Sequence, residues 1–146
     1  FAAPVPADVV VEPVTEATWD DYVTALQRGW GPDLELRDLR AWRDDHDRAR
    51  ATGRFHYFLA RIDGEPVGTA AYITKPRSAY LVGGNVVPSH RGRGVYRALI
   101  AERLRRIAAH GLTLATTQAR EATSAPILEK LGFESLYAAP VYRREP

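Results

Sequence analysis

The chain has 146 residues, a formal net charge of +2, and 45% hydrophobic and 26% charged residues. That length suits one domain, expected to span 1–146 and to bury about 70% of its unfolded surface. The composition is that of a soluble globular protein, no apolar run approaches membrane-spanning length, and the absence of cysteine excludes disulfides, thiolate metal sites and a cysteine nucleophile.

Phe1–Pro4 lacks the charged start and apolar core of a signal peptide. There is no methionine, so a trimmed or excised piece of a longer chain is the expectation. Val9–Val14 reads as a first strand, at a sheet edge because of Pro13. Thr18 can cap a helix in which Trp19, Tyr22, Val23 and Leu26 recur at helical spacing, broken by Gly29–Pro32. A more polar helix runs from Leu34 to about Ala51. Phe55–Ile62 and Val67–Ile73 are strands joined by the turn Asp63-Gly64-Glu65-Pro66. Lys75–Ser78 is another turn. Ala79–Val87 is the next strand, with Gly83-Gly84 as a bulge.

A helix from about Gly94 to His110 turns Leu99, Ile100, Leu104 and Ile107 inward and stops at Gly111. Leu112–Thr117 is a strand, so the strand-helix-strand order implies a right-handed parallel crossover. Thr123 or Ser124 caps a further helix with Pro126 in its first turn. Gly132 fits a left-handed cap with Phe133 folded back on it. Leu136–Arg143 is the last predicted strand. The fold class is α/β: a mixed, mostly antiparallel sheet flanked by helices.

The densest signal is Val86-Val87-Pro88-Ser89-His90-Arg91-Gly92-Arg93-Gly94-Val95-Tyr96-Arg97. A strand ends at a proline, a loop carries two glycines among arginines, and a helix starts at once. Helix N-termini leave backbone N–H groups without internal partners, and the macrodipole adds positive potential there. Glycines admit a phosphate to the backbone, and arginines supply forked donors. The segment reads as a cradle for a phosphate or pyrophosphate, against the simpler reading of a solvated Arg-Gly turn. It is not a Walker loop, which needs Gly-Lys-Ser/Thr. It is not the dinucleotide pattern either, whose third glycine is replaced by Arg97. Arg91, Arg93, Arg97, Arg103, Arg105 and Arg106 form a basic cluster. Acidic residues are interspersed elsewhere and no DNA- or RNA-binding motif is present, so the cluster reads as one phosphorylated ligand plus a solvated helix face rather than a nucleic-acid surface.

Arg91-Gly92-Arg93-Gly94-Val95-Tyr96 resembles the Arg/Gln-x-x-Gly-x-Gly/Ala signature of the GNAT N-acetyltransferase family, with Tyr96 where that family usually has Gly or Ala. Ala60–Gly68 is similar to the family's central hairpin, and Leu128–Glu134 to its closing helix and turn. The resemblance covers roughly residues 55–134. It implies two central parallel strands splayed around acetyl-coenzyme A (acetyl-CoA), the cosubstrate. Val86 and Val87, at the end of the strand, would meet the pantetheine arm. Arg91, Gly92, Arg93, Gly94, Val95, Tyr96 and Arg97 would hold the pyrophosphate. It further implies acetyl transfer to a primary amine by direct attack, in the cytoplasm, with no membrane partner and with homo-oligomerisation left open.

The departures from the family fall on the catalytic side. Leu128 stands where many members have a tyrosine acid, and Glu121 where an asparagine is common. Asn85 is the only hydrogen-bonding side chain at the end of the strand that often carries a glutamate base. Tyr72, Tyr80, Tyr137 and Tyr142 are alternative acids or simply packing residues, and Glu121 is a base or a solvated carboxylate. His46, His56, His90 and His110 show no metal-ligand spacing. No catalytic residue is assigned and no metal is expected. Trp30, Trp42, Asp38, Asp44 and Asp45 are available to bind a cationic acceptor, or to pack and be solvated. The alternative to an N-acetyltransferase is a non-catalytic acyl-CoA-binding module within a larger protein. An aminoacyl or longer acyl donor stays open.

Overall fold

The computed structural model describes residues 5–31, 39–140 and 142, and for 39–42 the backbone alone. β1 is Val9–Pro13, a 3-10 turn at Glu16–Thr18 leads into α1 (Trp19–Trp30), and α2 is Leu39–Ala51. Then come β2 (Phe55–Ile62), β3 (Glu65–Thr74), β4 (Ala79–Val86), a 3-10 turn at Pro88–His90, α3 (Val95–Ala109), β5 (Ala115–Thr117) and α4 (Ala125–Lys130). The strands form one sheet in the order β1-β2-β3-β4-β5. All neighbours are antiparallel except β4 and β5, which are parallel. No helix among the described residues is long and apolar enough to cross a membrane.

The side-chain period of two gives the sheet two apolar faces. Phe58, Ala60, Ile62, Ala70, Tyr72 and Leu81 pack with Val95, Leu99, Ile100 and Ile107 of α3 and Leu128 of α4. Leu59, from the opposite face, packs with Val14, Trp19, Tyr22, Ala25 and Leu26 around α1. Edge strand β1 is stapled to its neighbours by Arg61, which bonds Glu12 and Asp21, each at 2.7 Å.

The structure moves several boundaries. Asp63 and Gly64 alone make the hairpin turn, both with positive φ (50° and 81°), which matches the strand twist and lets Glu65 and Pro66 enter β3. Pro66 sits beside a register shift, where its missing N–H is tolerated. Thr18 does not cap α1; its hydroxyl instead accepts from the Thr15 N–H at 2.9 Å. β5 starts at Ala115 because the Gly111 and Leu112 N–H groups close the end of α3 on the Ala108 and Ile107 carbonyls. The Gly132 cap forms as expected: φ is 85°, and the Phe133 N–H bonds the Leu128 carbonyl at 3.1 Å.

The first part of the predicted second helix and two positions of the predicted last strand, Val141 and Arg143, lie outside the described residues. Residues 134–140 make no strand. They stand off the sheet, with Leu136 and Tyr137 77% and 79% exposed, and alternating apolar character forms no strand without a partner ladder.

Candidate active site

The β4–β5 ladder pairs Ala79, Tyr80 and Leu81 with Ala115, Thr116 and Thr117 and stops there. β4 continues to Val86, so the two parallel strands part and a cleft of about 1090 Å³ opens between them, floored by residues 81–86 and walled by α3, α4 and the end of α1. The Gly83-Gly84 bulge lies in its floor, where Ala70 of β3 faces both glycines.

The floor presents backbone donors. The Val87 N–H bonds the Val67 carbonyl at 2.9 Å, so Val87 and Val67 are a hydrogen-bonded pair. Such pairs alternate along an antiparallel ladder. Asn85 therefore faces β3 with its main-chain groups and Val86 turns its own toward the cleft, while Gly84, in the bulge, lines the cleft beside them. The Val86 carbonyl accepts from Arg91 Nε on that side at 3.2 Å.

At the cleft mouth α3 begins. Its first internal bond runs from the Ala98 N–H to the Gly94 carbonyl at 3.0 Å. The N–H groups of Gly94, Val95, Tyr96 and Arg97 thus have no helical partner. Gly94 has φ 80°, and a Cβ there would lie 2.5 Å from Pro6 Cγ. A side chain is excluded by backbone conformation and by the Pro6 ring together. Arg91, Arg97, Arg103, Arg120 and Lys130 line the cleft, and among the described residues no carboxylate does. This donor set fits a phosphorylated ligand.

The nine residues expected to hold the coenzyme do not all face the ligand space. Val86, Arg91, Gly92, Gly94, Val95, Tyr96 and Arg97 line the cleft; Val87 and Arg93 do not. Val87 is buried. Arg93 pairs with Asp8 at 3.0 Å.

The Tyr96 ring turns along the cleft wall onto the bulge, so that a Cβ on Gly84 would meet Tyr96 Cε2 at 2.9 Å. Beside it lies Arg103, counted from sequence with a solvated face but 1% exposed. Arg103 donates through Nε to the Leu99 carbonyl (3.0 Å) and through Nη1 to the carbonyls of Ala71 (3.1 Å) and Val82 (3.5 Å). Its guanidinium thereby braces the two strands that flank the bulge. Nη2 has no partner at hydrogen-bonding geometry and lies beside the Tyr96 ring over Gly84, 3.6 Å from where a Gly84 Cβ would be. Burial lowers the Arg103 pKa to about 10, partly offset by Tyr96, so it stays charged at neutral pH. Burial raises the Tyr96 phenol, and Arg103 opposes the rise. The sequence held a signal for this pair: 96, 99, 100, 103 and 107 share one helical stripe.

The other candidates separate. Leu128 is 3% exposed in the α3-side core. Tyr72 is buried there against His56, at 4.4 Å between ring centroids. Tyr80 and Glu121 do not line the cleft, and Tyr137 and Tyr142 are exposed. His46 is buried between Trp19 and Tyr57, and His110 packs near His56 at the far end of α3. His90 lines the cleft, 3.8 Å from Glu65. Asn85 lies under α1, its amide 2.3 Å from where a Gly29 Cβ would be, and both amide atoms lack partners. Trp30 lines the cleft but carries Arg120 over its ring at 5.7 Å. Asp44 and Asp45 are exposed on α2, Asp38 and the Trp42 side chain are outside the described residues, and no metal-holding cluster occurs among the described residues.

An open helix N-terminus flanked by arginines, beside two parting parallel strands, is the geometry expected of an acyl-coenzyme A-dependent transferase. The family model of the acetyltransferase (GNAT) family matches residues 12–133, and the chain belongs to that family. It is an acetyl-CoA-dependent N-acetyltransferase, with acetyl-CoA as cosubstrate. No individual curated protein matches the sequence. Among solved structures, the chain is similar to AAC(6')-Iy bound to the bisubstrate analogue CoA-S-monomethyl-acetylneamine, at 20% identity and TM-score 0.77, covering 94% of this chain and 99% of that one. It is similar to glucosamine-6-phosphate N-acetyltransferase from Arabidopsis thaliana at 8% identity and TM-score 0.78, with the same coverage. It also resembles the aminoglycoside 6'-N-acetyltransferase AAC(6')-IG from Acinetobacter haemolyticus at 17% identity and TM-score 0.73, again covering 94% and 99%.

Proposed function

We propose that this protein transfers the acetyl group of acetyl-CoA to a primary amine of a small-molecule or protein acceptor by direct attack of the neutral amine on the thioester. The observation that carries this reading is the cleft lined by five cations, faced by an open helix N-terminus and, among the described residues, free of carboxylates. The free N–H groups of Gly94, Val95, Tyr96 and Arg97, with Arg91 and the open backbone at Gly92, hold the pyrophosphate. Arg93, tied to Asp8, fixes the loop, and Val87, tied to Val67, fixes the end of β4.

The pantetheine arm then runs along β4 away from the loop. The Val86 N–H bonds it first. The Gly84 N–H, two residues further on, meets the thioester carbonyl, whose oxygen gains charge as the amine attacks. Direct attack needs no enzyme nucleophile, in keeping with a chain without cysteine. The cytoplasm, where acetyl-CoA is freely available, is the proposed site of action.

The test is calorimetric titration with acetyl-CoA of wild type, Gly92→Asn and Gly92→Asp. Gly92 has φ 79° with open space around it, and Asn and Asp tolerate that backbone best among side chains. Wild type should bind in the micromolar range and Asn close to it. Asp should bind about tenfold more weakly or worse, since a carboxylate beside the pyrophosphate costs more than the ~1.4 kcal/mol that tenfold represents. An amine panel scored by release of free thiol then identifies the acceptor. A folded wild type that does not bind acetyl-CoA refutes the reading.

A further inference from the structure

We propose that Tyr96 is the proton donor to the leaving coenzyme A thiolate, with Arg103 as the positioning residue behind it. This rests on the coenzyme reading above and supplies the acid that Leu128, sealed in the core, does not.

The argument is one of donors and acceptors. A guanidinium only donates. The phenol oxygen beside Arg103 can therefore only accept from it, which leaves the phenol's own proton to be given elsewhere. Tyr96 lines the cleft, and no hydrogen-bond acceptor for its hydroxyl is found among the described residues.

Position agrees. The ring lies on Gly84, the cleft-facing residue of β4 further from the phosphate loop than Val86, where the thioester end of the coenzyme falls. The backbone there is held: Arg103 bonds the carbonyls of Ala71 and Val82, the cross-strand pair next to the bulge that presents Gly84. When the amine attacks, the new C–N bond forms and the C–S bond breaks. The phenol proton passes to sulfur, and the phenolate left behind faces a buried cation. The ammonium proton released from the product goes to solvent, and the phenol regains its proton from there.

The experiment needs no acceptor. Free coenzyme A is bound to wild type and to Tyr96→Phe, and the bound thiol is titrated by its thiolate ultraviolet absorbance. Calorimetry first establishes binding to both, and thermal melts establish that both fold. A phenol donating to the thiolate should lower the bound thiol's pKa in wild type by about one to two units relative to free coenzyme A. Phe should remove most of that shift while affinity changes less than about threefold. A merely structural tyrosine would move the melt and the affinity instead. An unshifted thiol in wild type, or the same shift in Phe, overturns the proposal. Absence of binding by wild type is seen separately, in the calorimetry, and overturns the coenzyme reading together with this one.

Discussion

Gly92 and Gly94 share a backbone conformation, with φ of 79° and 80°, but not an environment. Adding a Cβ in the left-handed region costs roughly 1–2 kcal/mol at either position. At Gly92 that is the whole cost, because nothing lies within 4 Å of the new atom. At Gly94 the atom would sit 2.5 Å from Pro6 Cγ and 3.1 Å from Pro6 Cδ. The ring cannot swing away as a flexible side chain can, so overpacking adds roughly 1–3 kcal/mol. Gly92→Ala should therefore lose about 1–2 kcal/mol and Gly94→Ala about 2–5 kcal/mol in urea denaturation. Adding Pro6→Gly should return part of the second loss and none of the first. Equal losses at the two glycines, or no coupling to residue 6, would refute the reasoning. The same contrast explains why binding is probed at Gly92: a charge introduced at Gly94 would disturb the fold and the ligand together.

Two further outcomes follow from the packing. Burial lowers the pKa of His46 first, with Arg43 and Arg50 adding to the effect and Asp47 opposing it. His56 is lowered by burial, then by His110 and Arg106. Both bind protons more readily unfolded than folded, so their contribution is present above about pH 6.5 and is lost as pH falls below it. Urea midpoints across that range should fall toward acid, and His46→Phe, which keeps a ring between Trp19 and Tyr57, should flatten the slope. At Arg61, substitution by Met should cost about 1–2 kcal/mol at low salt, because Glu12 and Asp21 lose their shared partner. The loss should shrink in high salt, since both carboxylates are partly exposed.

The order of elements was legible because each carries a local signal. The Asp63-Gly64 turn, Gly83 in the bulge, the Gly94 helix start and the Gly132 cap are backbone conformations that few other residues accept. The misplacements have the opposite character. Thr18 looks like a cap by type, yet its hydroxyl serves the preceding 3-10 turn. Leu112 has strand character, but its N–H closes α3. The tail at 134–140 has alternation without a neighbouring strand. In each, a nearby backbone donor or a missing partner outweighed the residue's own preference.

The candidate site was legible where the main chain makes it and obscure where side chains do. The open N–H groups at the start of α3 take their position from the glycines, so the loop alone pointed to them. The role of Tyr96 depends on which way a ring leaves the helix, and the phosphate motif says nothing of that. The motif drew attention to position 96 as an irregular member of the cradle, and Arg103 as one more charge in a basic cluster. Helical spacing puts both on the stripe of Leu99, Ile100 and Ile107, a stripe that must face the sheet. An arginine there is buried, and a buried guanidinium needs carbonyls. A bulge supplies them, because it leaves strand carbonyls without ladder partners. The glycine pair in β4, the arginine two turns into α3 and the tyrosine at its start are thus three consequences of one local break in the sheet. Leu128 belongs to the same account: with the Tyr96 ring already over Gly84, the position on α4 is apolar and closes the core.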